Sequence, residues 1–354
     1  MRDPRSELPG KAQTVLEPIY ADSMGVTLAH EHCLIDTTRF FHEPDEEIGR
    51  KIAHEPVSLS NVGYIRYHFH DNLDNLRLLD EGQTINELEF YKQVGGKTIV
   101  DATTVDLGRN PLALKRISQR TGLNIIMGSG YFIKAVQNLK IMDKRTEEDI
   151  AEEIIKDLLK GVEGTDIHSG MIGEIGCTYP LEDCEKKVLR AAGIAQKETG
   201  APLEVHPGRS EDAPGEIIKI LKEVGTDLHH TAICHVERTF FEAKNRYALA
   251  EAGCYLSYDL WGREGYYSSD FGAIDIPNDA QRIAQIKDLM SHGFGSQVLI
   301  SYDIAYKCQY MGYGGHGYAH ILTNTVPAMH ARGISEEQVD DLLIENPKRF
   351  FGFR

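Results

Sequence analysis

Two imidazoles separated by one glutamate, His30-Glu31-His32, open a series of metal-ligating side chains that continues through Glu174, His206, His235 and Asp303. Successive side chains of a strand alternate between faces, so His30 and His32 can meet one ion together. An HxH pair alone carries little weight, because stray histidines near strand ends are common. His206, His235 and Asp303 add to it, since each closes its own short apolar run. Imidazole and carboxylate ligands without thiolate suit two divalent ions, zinc foremost with manganese the alternative. Two neighbouring cations repel unless an anion sits between them. Glu174, in Gly173-Glu174-Ile175-Gly176, can offer one oxygen to each ion; the competing reading is a strand-end ion pair.

The chemistry of such a set is hydrolysis. Two ions sharing a water lower its pKa and supply a bridging hydroxide at neutral pH, while polarising the substrate's oxygen. Asp303 is the natural proton acceptor and therefore the catalytic residue. The segments around SYD (301–303) and GSG (128–130) are too short to argue for a serine nucleophile or a phosphate loop. For substrate contacts the expectation is Arg209, Tyr131, Lys134 and Trp261, all just beyond strand ends. A capping role competes for Arg209 and a packing role for Trp261. His316 and His320 are expected to order a loop or support the ligands.

These residues lie in stretches that resemble the phosphotriesterase-related proteins of the amidohydrolase superfamily. The likeness runs from about Lys11 to the C-terminus through LAHEHCLID, GEIGCTYPL, HPGRS, CHVERT, ISYDI, YGGHGYAHILTN and LLIENPKRF. It is to the branch found in animals rather than to the bacterial organophosphate hydrolases. The resemblance implies a binuclear site with His30, His32 and Asp303 on a buried ion, and His206 and His235 on a more exposed one. The namesake enzymes bridge their ions with a carboxylated lysine, whereas this sequence has Glu174 and no lysine between Asp166 and Thr178. The implied activity is cleavage of a small ester, lactone or amide, with N-acyl amines such as N-acetyltaurine favoured. The alternatives are an organophosphate or sugar-lactone hydrolase, or a metal-containing ligand-binding protein without catalysis.

Ligands so far apart in sequence need a scaffold that gathers strand ends. Eight apolar, β-branched runs fall at 25–36, 97–104, 123–132, 169–176, 201–208, 231–239, 254–260 and 297–304. Between them lie helices marked by Asn110-Pro111 with Gly122, by Thr146 with Asp149, and by amphipathic stretches over 182–200, 213–225 and 277–294. Alternating β and α units imply parallel strands with right-handed crossovers. Eight of them suit a single (β/α)₈ TIM barrel over 1–354, whose long loops, such as 37–83, cover the catalytic end.

Composition narrows the partners. The chain has 54 acidic and 38 basic residues and a net charge of −16, which argues against nucleic acid and an anionic membrane surface. A small molecule is the expected partner, and a homodimer is left open. The start, MRDPRSELPGKAQ, lacks the apolar core of a signal peptide, and no apolar run is long enough to span a bilayer. Six scattered cysteines without a CxxC pair read as reduced thiols, so the expected location is the cytoplasm.

Overall fold

Apolar runs flanked by capped amphipathic helices bury both surfaces when parallel strands are covered by helices. In the computed structural model, which describes residues 7–267 and 274–354, eight strands do so in one parallel sheet, in sequence order. They are β1 (Thr27–Glu31), β2 (Thr98–Asp101), β3 (Asn124–Ser129), β4 (Met171–Gly176), β5 (Leu203–His206), β6 (Thr231–Ile233), β7 (Tyr255–Tyr258) and β8 (Val298–Ile300). Each lies inside the run the sequence marks. The first six residues of the charged start lie outside the described residues. Among the described residues no helix is long and apolar enough to cross a membrane.

The covering helices are α1 (Glu81–Gln93), α2 (Pro111–Thr121), α3 (Glu147–Leu159), α4 (Asp183–Thr199), α5 (Ala213–Val224), α6 (Ala243–Glu251) and α7 (Asp279–Ser291). The Asn110 side chain accepts from the Ala113 amide at 3.1 Å at the start of α2, and Gly122 ends that helix at φ +71°. Thr146 and Asp149 form a reciprocal capping box ahead of α3. One packed layer takes Ala29, Val100, Ile126, Met171, Ala232, Tyr255 and Leu299 from seven of the strands and rests them on Phe350 and Phe351. The Phe350 carbonyl meets His230 just ahead of β6, so this apolar plug closes the end of the barrel where strands begin. The other end is left for polar groups.

The ring closes between β8 and β1 through a side chain. The buried Glu31 carboxylate accepts from Ser301 Oγ at 2.6 Å, the Tyr302 amide at 2.8 Å and the Ile304 amide at 3.0 Å. The His30 amide donates to Ser301 Oγ at 3.0 Å, and the Asp303 amide to the His30 carbonyl at 3.1 Å. Burial pushes the Glu31 carboxyl up to about 8, against the pull of those three donors. The middle residue of HEH is therefore a seam, and its neighbours are carried into the barrel mouth with it. Over that mouth runs the β1–α1 connection, which folds into a two-stranded hairpin (Ile35–Asp36 with Arg77–Leu78) and two short helices, Glu47–Ala53 and Val62–Ile65.

Removing the seam carboxylate leaves three buried donors without an acceptor. Glu31→Ala should lower the unfolding free energy of metal-free protein by about 3 kcal/mol or more in urea titrations, and Glu31→Gln by less. A loss under about 1 kcal/mol for the alanine variant would mean that packing and the Asp303–His30 backbone bond hold the ring closed without the carboxylate.

Candidate metal centre

The strand ends deliver the six ligand candidates to one place. His30, His32 and Asp303 bring ligand atoms together as one triad, and Glu174, His206 and His235 as another. Glu174 stands between them. Its Oε2 lies 2.9 Å from His206 Nδ1, 3.4 Å from His235 Nε2 and 3.7 Å from His30 Nε2, and its Oε1 lies 3.6 Å from His32 Nε2. His32 Nε2 is 3.2 Å from Asp303 Oδ1. Two ligands of one tetrahedral ion, with bonds of about 2.0–2.1 Å, stand roughly 3.3 Å apart, close to these separations.

The outward nitrogens are already bound, which aims the others inward. His30 Nδ1 meets Glu204 at 3.0 Å, His32 Nδ1 meets Thr103 Oγ1 at 2.9 Å, and His235 Nδ1 meets Asp259 at 2.5 Å. Among the described residues His30 Nε2 is buried with no hydrogen-bond partner, an orphan that an ion would satisfy. Asp259 also accepts from the His235 backbone amide at 3.1 and 3.2 Å. His235 and Asp303 adopt the left-handed backbone, φ +53° and +52°, which costs about 1–3 kcal/mol for a residue with a side chain. At Asp303 the Arg263 and Gln309 side chains hold that bend, each donating to its carbonyl at 3.2 Å.

The electrostatics favour cations. Burial would raise the Glu174 carboxyl, but His206 and His30 hold it well below the usual carboxylate range. Burial opposes ionisation of Asp303 too, and His32, His235 and Arg263 overcome it. Both acids are ionised. In the imidazoles burial works the other way, yet Cys234 and Glu174 raise His30, and Asp303 and Glu174 raise His32. Burial lowers His206 to about 3, although Glu174 beside it pulls the other way. Buried anions facing imidazole lone pairs form a donor set for divalent ions.

A cavity of about 90 Å³ opens onto Glu174, His32, His206, His235 and Asp303. Its apolar wall includes Phe40, Leu107, Phe132 and Ile133, and its polar wall has His70, Arg209, Arg238 and Arg263. Arg238 reaches within 3.2 Å of His206 Nε2 and donates to the Pro207 carbonyl at 3.3 Å. Arg263 lies 3.6 Å from the Asp303 carboxylate.

Of the expected substrate contacts, Arg209 lies on this wall and three do not. Tyr131 turns away, its hydroxyl donating to Glu153 at 2.8 Å and accepting from Arg145 at 2.6 Å. The Lys134 side chain is 43 % exposed and pairs with Glu182 at 3.0 Å. Trp261 is fully buried beneath the Arg282 guanidinium, 5.9 Å from its ring, so its role is packing. His316 and His320 are in neither candidate triad; His320 pairs with Asp279 at 2.7 Å and His316 lines a neighbouring chamber. Missing from the expectation were His70, Arg238 and Arg263. Arg238 stands three residues past His235, the spacing that marked Arg209, whereas His70 sits deep in the long connection with no local signal.

A parallel eight-stranded barrel with imidazoles and carboxylates converging at its strand ends defines a metal-centre barrel protein. This chain belongs to the phosphotriesterase family, whose model matches residues 10–351. The N-acetyltaurine hydrolase of Xenopus tropicalis is 39% identical over 350 residues, covering 99% of this chain and 100% of the relative. The phosphotriesterase-related protein of Nematostella vectensis is 41% identical over 348 residues, 98% and 99% of the two chains. Among solved structures, the resiniferatoxin-binding protein of Rhodobacter sphaeroides superposes with a TM-score of 0.93 at 33% identity, covering 97% of this chain and 95% of its own.

Zinc-loaded protein should contain about two equivalents of metal per chain by elemental analysis. Asp259→Asn, which no longer fixes the His235 ring as a carboxylate does, should lower metal affinity roughly 10–100-fold in competition with a chromophoric chelator. Unchanged affinity would leave Asp259 a purely structural acceptor.

Proposed function

We propose that this chain, a hydrolase of the phosphotriesterase family, cleaves the amide bond of small N-acyl amines whose amine half carries an acid, with N-acetyltaurine as the type. One observation carries the reading: His32, Asp303, Glu174, His206 and His235 of the two triads line the same small cavity as Arg209, Arg238 and Arg263. In a chain of net charge −16, three arginines on one cavity wall select an anion from solution. Burial, then Arg209 and Arg263, lower His70 to about 3, so a neutral imidazole lies between two cations. A sulfonate or carboxylate held there gains charge-assisted hydrogen bonds. The activity in the frog relative's name agrees with this chemistry.

His30, His32 and Asp303 would hold one divalent ion and Glu174, His206 and His235 another, zinc in this reading with manganese the alternative, and such ions would lower the pKa of a water and polarise the acyl oxygen. The protein's own groups do the rest. Asp303, ionised and itself a member of one triad, accepts the proton of the attacking water and passes it to the leaving nitrogen. Phe40, Phe132 and Leu107 surround a short acyl group and exclude bulk water. Arg209 and Arg263 hold the acid of the amine half. The six cysteines are unpaired, in keeping with a reducing compartment, and we place the enzyme in the cytoplasm.

Asp303→Asn should lower kcat on N-acetyltaurine at least ~10²-fold with the circular dichroism spectrum unchanged. Near-normal turnover would transfer the proton to another group, His235 first. Arg209→Ala separates recognition from chemistry. It should cost roughly 2–5 kcal/mol in kcat/KM on an anionic acyl amide if the pair is desolvated, and far less on a neutral aryl ester. Equal losses on both substrates would make Arg209 a loop support.

A further inference from the structure

Beside the metal cavity lies a second and larger chamber of about 500 Å³. The two share a wall made of Arg263 and Tyr306, which line both. Arg263 lies 5.6 Å above the Tyr306 ring, and that ring packs 5.0 Å from Phe69. The Tyr306 hydroxyl is 3.1 Å from His70 Nε2, so the partition continues into the polar wall of the small cavity. Among the described residues the chamber beyond the partition is faced by Phe69, Tyr67 and Ile276, and it carries two cations, Arg66 and Arg263, against the carboxylate of Glu264.

The direction of the reaction links the two spaces. Asp303 must reach the leaving nitrogen to protonate it, so the amine half of a substrate lies on the Asp303 side of the small cavity. Arg263, 3.6 Å from that carboxylate, is then the guanidinium beside the amine half, and whatever branches from the amine carbon points past it into the chamber. A two-carbon sulfonate ends at Arg263. A larger amine has a side chain to place, and aromatic rings with an aliphatic wall offer burial for it.

We propose that the chamber is a distal substrate subsite, for the side chain of N-acyl amino acids whose carboxylate is held on Arg263 and whose side chain is aromatic or extended and apolar. This rests on the amidase reading above for its chemistry but not for its binding. Gly63, in the helix Val62–Ile65, lines the chamber, and a Cβ built there meets no atom within 4 Å, so a large side chain fills space without displacing the fold.

The test compares wild type with Gly63→Phe, both zinc-loaded, on N-acetylphenylalanine and N-acetyltaurine, and titrates 3-phenylpropionate into both by calorimetry. Gly63→Phe should raise KM for N-acetylphenylalanine and weaken 3-phenylpropionate by at least about tenfold, while kcat/KM for N-acetyltaurine stays within roughly twofold. Tyr67→Ala, at a side chain 55 % exposed, should shift the same two quantities in the same direction and stands in if Gly63→Phe does not fold. If 3-phenylpropionate binds and the variants weaken it, but wild type cleaves neither amide, the subsite stands and the amidase reading falls. Equal effects on both amides, 3-phenylpropionate binding unmoved by the variants, or no binding to wild type overturns the subsite.

Discussion

Glu174 carries its carboxylate into a space walled by His30, His32, His206 and His235, where burial alone would neutralise it and the surrounding imidazoles keep it ionised. An anion in that position cannot be left to itself inside a protein, because an unpaired buried charge costs several kcal/mol. Much of the barrel mouth answers that demand. Four rings converge from three strands or strand ends, and behind them Glu204, Thr103 and Asp259 fix three of the ring orientations. The left-handed bends at His235 and Asp303 are tolerated because that network holds them. Strain, charge and ligand geometry at this end of the barrel are one arrangement.

The opposite end shows why it can persist. The layer from Ala29 to Leu299, seated on Phe350 and Phe351, is apolar throughout apart from the Tyr255 hydroxyl. Burial there supplies the stability that the polar mouth consumes. Glu31 joins the two halves of the problem. It spends its acceptor capacity on Ser301, Tyr302 and Ile304, and so sets β1 and β8 in the register that brings His30, His32 and Asp303 into one triad.

The strands, and the grouping of the candidate ligands, were legible in the sequence because both obey short rules. Each strand is a local apolar run, and His206, His235 and Asp303 each close one, so position along the run already tells which side chains reach the mouth. Helices α2, α3, α4, α5 and α7 showed themselves through caps and stripes, whereas α1 and α6 have almost no amphipathic bias and passed unnoticed. Substrate contacts follow no such rule. Tyr131, Lys134 and Trp261 occupy the expected stations after strands, but a loop residue's direction is set by what it meets: Glu153 and Arg145, Glu182, and Arg282 respectively. His70 reaches the cavity only because the β1–α1 connection folds back across the barrel, a long-range event that the residues around it do not announce.

The misplaced tryptophan has a use of its own. Trp261 is the single indole in the chain, shielded from solvent and covered by the Arg282 guanidinium. Arg282 donates to the Arg263 carbonyl at 2.7 Å and pairs with Asp279, which accepts from the Gly262 amide at 3.0 Å. The indole is thus built into the mounting of the loop that carries Arg263, two residues away. Its emission is an intrinsic optical gauge of that loop, free of background from any other tryptophan, and responsive to events at the partition between the two cavities without any label being added.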